Sequence, residues 1–145
     1  EDGIRDYKVT GVQTCALPIS HLGEFKRLFP QIENPQKDRF QATLRAAELS
    51  GAVVLLKGAR TIIGDPQGHL YCLDNSTPAL ARGGSGDILA GLIGGLVAQS
   101  GDQQLGAVVA TAAWWHAQAG LLAEQERSPL GVDPLTLASY LSKVL

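Results

Sequence analysis

After residue 20 the apolar positions fall into runs whose spacing changes along the chain, and each change marks an element. In "HLGEFKRL", Phe25 and Leu28 share the face of a short helix. "NPQKDRFQATLRAAELSG" offers Asn34 as a cap, Pro35 at the first helical position and Gly51 just past the end, which predicts a helix with Phe40, Leu44 and Ala47 facing the core. "AVVLLKG", from Ala52 to Gly58, is a β-branched apolar run that suits a strand buried on both faces. "RTIIGDPQGHLYCLD" predicts a hairpin turning at Asp65, Pro66, Gln67 and Gly68. Two long helical patterns follow, Gly86 to Gln99 and Gln104 to Gln125, parted by Ser100, Gly101 and Asp102. Both are apolar nearly all round, so other structure must cover them, and they predict a central packed layer. "VDPLTLASYLSKVL" reads as a closing helix with Asp133 as N-cap, Pro134 next, and Leu135, Leu137, Leu141 and Val144 as contacts. Helix, buried strand, hairpin and helices together indicate an α/β fold.

Composition narrows the function classes. The 145 residues are 45% hydrophobic, enough for the core of one modest domain. Charged residues make up 18% and the formal net charge is −2, which excludes an electrostatic hold on nucleic acid or a membrane surface. The apolar stretch Ile88 to Ala98 is too short to span a bilayer and no signal-peptide core opens the chain, so a cytoplasmic protein is expected. Cys15 and Cys72 have neither the spacing of a zinc site nor that of a disulfide framework, and Cys72 reads as a reduced strand residue. No protein-held metal site is expected.

The chemistry concentrates in "STPALARGGSGDILAGLIGG". Gly83, Gly84, Ser85 and Gly86 precede or open a helix, where unpaired N–H groups and the positive dipole end make a cradle for an anion, with phosphate as the natural occupant. Asp87 stands at the mouth of that cradle, where a carboxylate repels phosphate unless it accepts a proton or holds a metal. The bland reading is a tight glycine turn and an acidic first turn that answers the dipole, and the spacing alone leaves both open. "KGART", from Lys57 through Gly58, Ala59 and Arg60 to Thr61, puts a lysine at a strand exit, facing a nucleotide or merely snorkelling. His21 with Glu24 is either a ligand contact or an ordinary helix start. His69 is expected in solvent, and Trp114, Trp115 and His116 as packed or hydrogen-bonded members of an apolar helix.

These stretches, in this order, resemble the carboxy-terminal half of the ribokinase-like NAD(P)H-hydrate dehydratase family, through "HLGEFKRL", "VVLLKGART", "STPALARGGSGDILAGLIGGLVAQSG" and "AAWWHAQAG". Thr77, Ala79, Leu80, Arg82 and Gln118 depart from the family pattern, Arg82 by replacing a small residue beside the cradle. The resemblance implies a lyase that repairs nicotinamide nucleotides: ADP-dependent dehydration of (S)-NADHX and (S)-NADPHX, giving NADH or NADPH, AMP and phosphate. It implies Asp87 as catalytic base, Gly83 to Gly86 as phosphate cradle, Lys57 to Thr61 with Gly86 as nucleotide contacts and His21 as substrate contact. It further implies ADP as co-substrate, Mg2+, a homotetramer, and fusion to or cooperation with an NAD(P)H-hydrate epimerase. The rival readings are a small-molecule kinase of the same fold, such as a hydroxyethylthiazole kinase, and a silent nucleotide-binding module.

"EDGIRDYKVTGVQTCALPI" is a different text. Read back through the genetic code, residues 1–19 resemble an indexed sequencing adapter translated in frame, with Tyr7 and Lys8 at the variable index and Ser20 at the junction. The expectation is a non-native segment over 1–20 and a partial dehydratase domain over 21–145. On that reading the amino-terminal half of the fold is missing, the two central helices expose apolar surface, part of the substrate pocket is absent, and the fragment alone is inactive.

Overall fold

The computed structural model describes residues 19–144, so the leading segment lies outside the described residues except at its last positions. Four strands form one sheet in the order β1 (Ile19–Ser20), β2 (Val54–Leu56), β3 (Thr61–Gly64), β4 (Leu70–Leu73). β1 runs parallel to β2, with Ile19 opposite Leu55 and Ser20 opposite Leu56. β2, β3 and β4 are antiparallel, so the expected hairpin is present. Its turn is held by Asp65, whose Oδ1 accepts from Gln67 N–H (3.0 Å) and His69 N–H (2.9 Å), and by Gly68 at φ 91°.

The strand "VVLL" is buried throughout, as expected, and its pleat sends alternate side chains to opposite layers. Val54 and Leu56 meet Phe25 and Phe29 near α1 (Leu22–Leu28) and Ala42, Ala46 and Ala47 of α2 (Arg39–Ser50). Val53 and Leu55 join Leu89 and Ile93 of α3 (Ser85–Gln99) and Val109, Ala112 and Ala113 of α4 (Leu105–Arg127). α5 (Pro134–Leu141) closes a third cluster, with Leu137 and Tyr140 against Ala119 and Ala123 of α4.

Local chemistry moves two boundaries. Asn34 adopts φ 49° and closes a turn, so α2 is capped instead by Asp38, whose side chain accepts from Gln41 N–H at 3.0 Å. The late start turns Phe40 outward (41% exposed) and gives the core face to alanines. In α5, Leu135 is 83% exposed because it lies about 200° round the helix from the buried Leu137. α4 buries ten residues, whereas α3 buries only Ser85, Leu89 and Ile93, and Trp114 is half exposed. Among the described large hydrophobic side chains of these two helices, Trp114 is the exposed one, so the broad apolar exposure expected of them is limited to that residue.

Ser20 ends β1, and its Oγ is buried without a hydrogen-bond partner among the described residues. An unsatisfied buried hydroxyl costs on the order of 1 kcal/mol or more. Ser20→Ala is therefore expected to raise the unfolding free energy by about 1 kcal/mol in urea titrations; a loss of stability would show that the hydroxyl is in use.

Candidate active site

β2 ends and Lys57 emerges, half-buried, with its N–H donating to Ser20 O at 2.8 Å. The loop that follows is pinned from α2. Arg39 Nη2 donates to the carbonyls of Leu56 (3.1 Å), Lys57 (3.0 Å) and Arg60 (3.2 Å). A Cβ at Gly58 would fall 2.7 Å from that nitrogen, so a side chain there would have to move the guanidinium. Sequence reasoning missed Arg39. With Asn34 read as the cap, Arg39 lay past the first turn of the expected helix and carried no local signal; only the Asp38 cap places it at the helix start.

The second half of the site is the start of α3. Gly84 takes φ 89°, and a Cβ there would fall 2.7 Å from Pro134 Cγ, so this glycine serves both the turn and the close approach of α5. Ser85 N–H turns back to Arg82 O (3.3 Å), while Asp87 N–H (3.1 Å) and Ile88 N–H (3.2 Å) both reach Gly84 O. Gly86 N–H is left without a backbone acceptor among the described residues. A Cβ on Gly86 would lie 3.0 Å from Lys57 Nζ, so the strand-end cation and the free helix-start donor meet at one point.

His116 of α4 holds this point from behind. It is buried, and its Nε2 lies 3.0 Å from Ser85 O, an acceptor only, so Nε2 carries the proton and donates. Burial pushes its pKa below the ordinary imidazole range and the Lys57 charge adds to the shift, while the Ser85 carbonyl opposes it.

Between these halves lies a cleft of about 730 Å3. Its lining combines apolar side chains, among them Leu73, Leu80, Leu89 and Ala113, with Lys57, Arg82 and Gly86. Among the described residues, no carboxylate lines it. A cleft with apolar walls that also carries cations and a free N–H suits a flat aromatic body with an anionic tail.

His21 lines the cleft too, and it also caps α1: Nδ1 accepts from Gly23 N–H (3.1 Å) and Glu24 N–H (3.4 Å), and Glu24 accepts from His21 N–H (2.9 Å). That last bond holds the Glu24 carboxyl below its usual range. Of the other residues singled out from the sequence, Lys57, Gly58, Ala59, Thr61, Ser85 and Gly86 come together in the wall. Arg60 lends its carbonyl to Arg39, and Gly83 and Gly84 shape the turn without lining the cleft. Asp87 is exposed in the first turn of α3, outside the wall.

The described residues contain no cluster of three or more His, Cys, Asp or Glu side chains able to hold a metal, so they form no cage for Mg2+. No described helix is long and apolar enough to cross a membrane.

A family profile described as NAD(P)H-hydrate dehydratase matches residues 19–143. The chain is 59% identical over 121 residues to the bifunctional NAD(P)H-hydrate repair enzyme Nnr of Synechocystis, covering 83% of this chain and 23% of that one. The solved ADP/ATP-dependent NAD(P)H-hydrate dehydratase from Bacillus subtilis, co-crystallized with ATP/Mg2+ and soaked with CoA, superposes with a TM-score of 0.80 at 29% identity, over 88% of this chain and 47% of that one. A ribokinase-like superfamily protein from Enterococcus faecalis gives a TM-score of 0.70 at 26% identity, over 88% and 44%. The fold is therefore the ribokinase-like α/β fold that the resemblance implied, and the chain spans about a quarter of the length of the curated relatives it matches.

The lowered His116 pKa fixes a sign. Above about pH 6.5 the ring is neutral folded or unfolded; below it the unfolded chain takes up a proton that the fold resists, so stability falls with pH. Thermal unfolding followed from pH 8 to 5 is expected to show this acid loss, and His116→Gln to show less of it. Arg39→Ala is expected to destabilise by about 2–3 kcal/mol, since it leaves carbonyls unpaired and opens space at Gly58, as measured by urea unfolding.

Proposed function

The chain belongs to the NAD(P)H-hydrate dehydratase family, and we propose that its cleft is the nucleotide side of a site for ADP-dependent dehydration of (S)-NADHX and (S)-NADPHX, a lyase reaction of nicotinamide nucleotide repair. The observation that carries this reading is the meeting of Lys57 Nζ with Gly86 at the start of α3, in a wall without a carboxylate. Such a point can seat a phosphate, and the cleft around it is large enough for an adenine nucleotide.

The chemistry asks for such a seat. Hydroxide is a poor leaving group and phosphate a good one, so passing the β-phosphoryl of ADP to the ring hydroxyl turns dehydration into an easy elimination. The new P–O bond forms as the bond to AMP breaks. The C–O bond of the hydrated ring then breaks with the nitrogen lone pair pushing, phosphate departs, and loss of the neighbouring C–H proton restores NADH. In this scheme Lys57 and the cradle at Gly84 to Gly86 hold the charge of the transferring group, the loop from Lys57 to Thr61 holds the nucleotide, and His21 touches the hydrated nicotinamide. Asp87, on the open side next to Gly86, accepts the hydroxyl proton. Mg2+ would arrive on the phosphates of the nucleotide and offset their charge, since the cleft wall supplies no carboxylate for it.

The same reading puts the work in the cytoplasm, where ADP and reduced nicotinamide nucleotides are at hand. It also places the chain in a homotetramer that acts with a fused or separate epimerase, able to convert the other hydrate epimer.

The test is ADP-dependent return of reduced-nicotinamide absorbance from hydrated NADH, using the complete protein that contains this chain. Asp87→Asn is expected to slow it by about 10²- to 10⁴-fold with ADP binding retained. Full activity in that variant removes Asp87 from the mechanism, and absence of any ADP-dependent turnover by the unaltered protein removes the reaction itself.

A further inference from the structure

The geometry points to His116 as a positioning residue for the anion seat, acting on the bound phosphate through the Ser85–Gly86 peptide; this rests on the reading of the cleft as a nucleotide site. Ser85 C=O and Gly86 N–H, the donor left free at the start of α3, belong to one peptide unit. The described residues contain no cis peptide, and in a trans peptide the C=O and N–H lie in one plane and point in opposite directions. Whatever holds the carbonyl therefore aims the amide.

His116 Nε2 lies 3.0 Å from Ser85 O and 3.4 Å from Ser85 Oγ. A carbonyl only accepts, so the single N–H of the neutral ring is on Nε2 and donates to it. This bond joins residues 31 apart in the chain. Its two helices share one apolar cluster, in which Val109, Ala112 and Ala113 of α4 meet Leu89 and Ile93 of α3, so packing sets where donor and carbonyl meet.

Donation into a carbonyl draws electron density from the nitrogen of the same peptide, and its N–H becomes a stronger donor. The relay runs from His116 N–H through Ser85 C=O to Gly86 N–H. It ends beside Lys57, whose Nζ would stand 3.0 Å from a Cβ on Gly86. A neutral ring suits this place better than a permanent cation, because a second charge behind Ser85 would repel Lys57 from the seat. Burial and the Lys57 charge both hold the ring neutral.

The test compares His116→Leu, which fills space without a donor, with His116→Gln, whose amide can still donate to Ser85 O. Titrations with ADP and with adenosine, which has no phosphate, are followed by NMR on the complete protein that contains this chain, isotope-labelled at glycine and histidine nitrogens. His116→Leu is expected to weaken ADP by about three- to tenfold, the worth of one ordinary hydrogen bond, and adenosine by less than about twofold. His116→Gln is expected to recover most of the lost ADP affinity. The Gly86 amide proton is expected to move downfield as ADP binds, and to move less in His116→Leu. Equal losses for ADP and adenosine would mark a merely structural residue and overturn the proposal, as would an unchanged ADP affinity in His116→Leu or a Gln variant as weak as the Leu one. In the unaltered protein the histidine spectrum is expected to show the His116 proton on Nε2; a proton on Nδ1 alone overturns the proposal without any variant, so a poorly folding substitution cannot shelter it. If the unaltered protein binds ADP no better than adenosine, the reading of the cleft falls first and the relay with it.

Discussion

The structure depends on burying one strand from both sides. Val53, Val54, Leu55 and Leu56 are each at most 2% exposed, two of them against α1 and α2 and two against α3 and α4. Each such side chain contributes about 1.5–3 kcal/mol when fully buried. A slip of one residue would exchange the two faces and mismatch both layers at once, so the register of this strand is fixed more firmly than that of any exposed one. A fixed register fixes the exit. Lys57 leaves the sheet at one place, and the loop after it is locked there by Arg39 with three carbonyls on one nitrogen.

The opposite wall is secured by helix ends. Asp133 caps α5 by accepting from Thr136 N–H at 2.7 Å, and that bond holds its carboxyl below the usual range. The cap sets Pro134 where it leaves no room for a Cβ on Gly84, which admits the left-handed residue that starts α3. From α4, the neutral His116 donates to Ser85 O and fixes the carbonyl of the next residue. Three helices thus converge on two residues, and the anion seat is preorganised before any anion arrives.

Most of this frame was legible along the chain because it follows from periodicity and punctuation. The buried strand, the hairpin turning at Asp65 to Gly68, the long helices and the cap at Asp133 all rest on signals a few residues wide. What was not legible is what two distant segments decide together. Asn34 and Asp38 are both good caps, and the choice of Asp38 puts Arg39 where it can reach the β2–β3 loop. Leu135 looked like a contact because it is a leucine, and the helical angle to Leu137 turned it out. In the site, the cradle and "KGART" were visible as motifs, but their meeting at Lys57 and Gly86 is a distance, and no local pattern contains it. His116 was read as a hydrogen-bonded core residue. It is one, and its partner is the cradle.

The placement of Asp87 resolves an apparent conflict in the motif. A carboxylate inside the wall would oppose an anion about 4 Å away by roughly 4 kcal/mol at an effective dielectric of 20, cancelling much of what Lys57 supplies. Successive helix residues point about 100° apart, so the residue after Gly86 leaves the seat while remaining next to it. Among the described residues the wall holds no carboxylate, and Asp87 stands exposed outside it. In the proposed scheme, one step along the helix separates the residue that binds phosphate from the residue that accepts a proton. On that scheme the adjacency of glycine and aspartate has a physical reason: a longer interval would carry the proposed base out of reach, and a shared direction would set its charge against the phosphate.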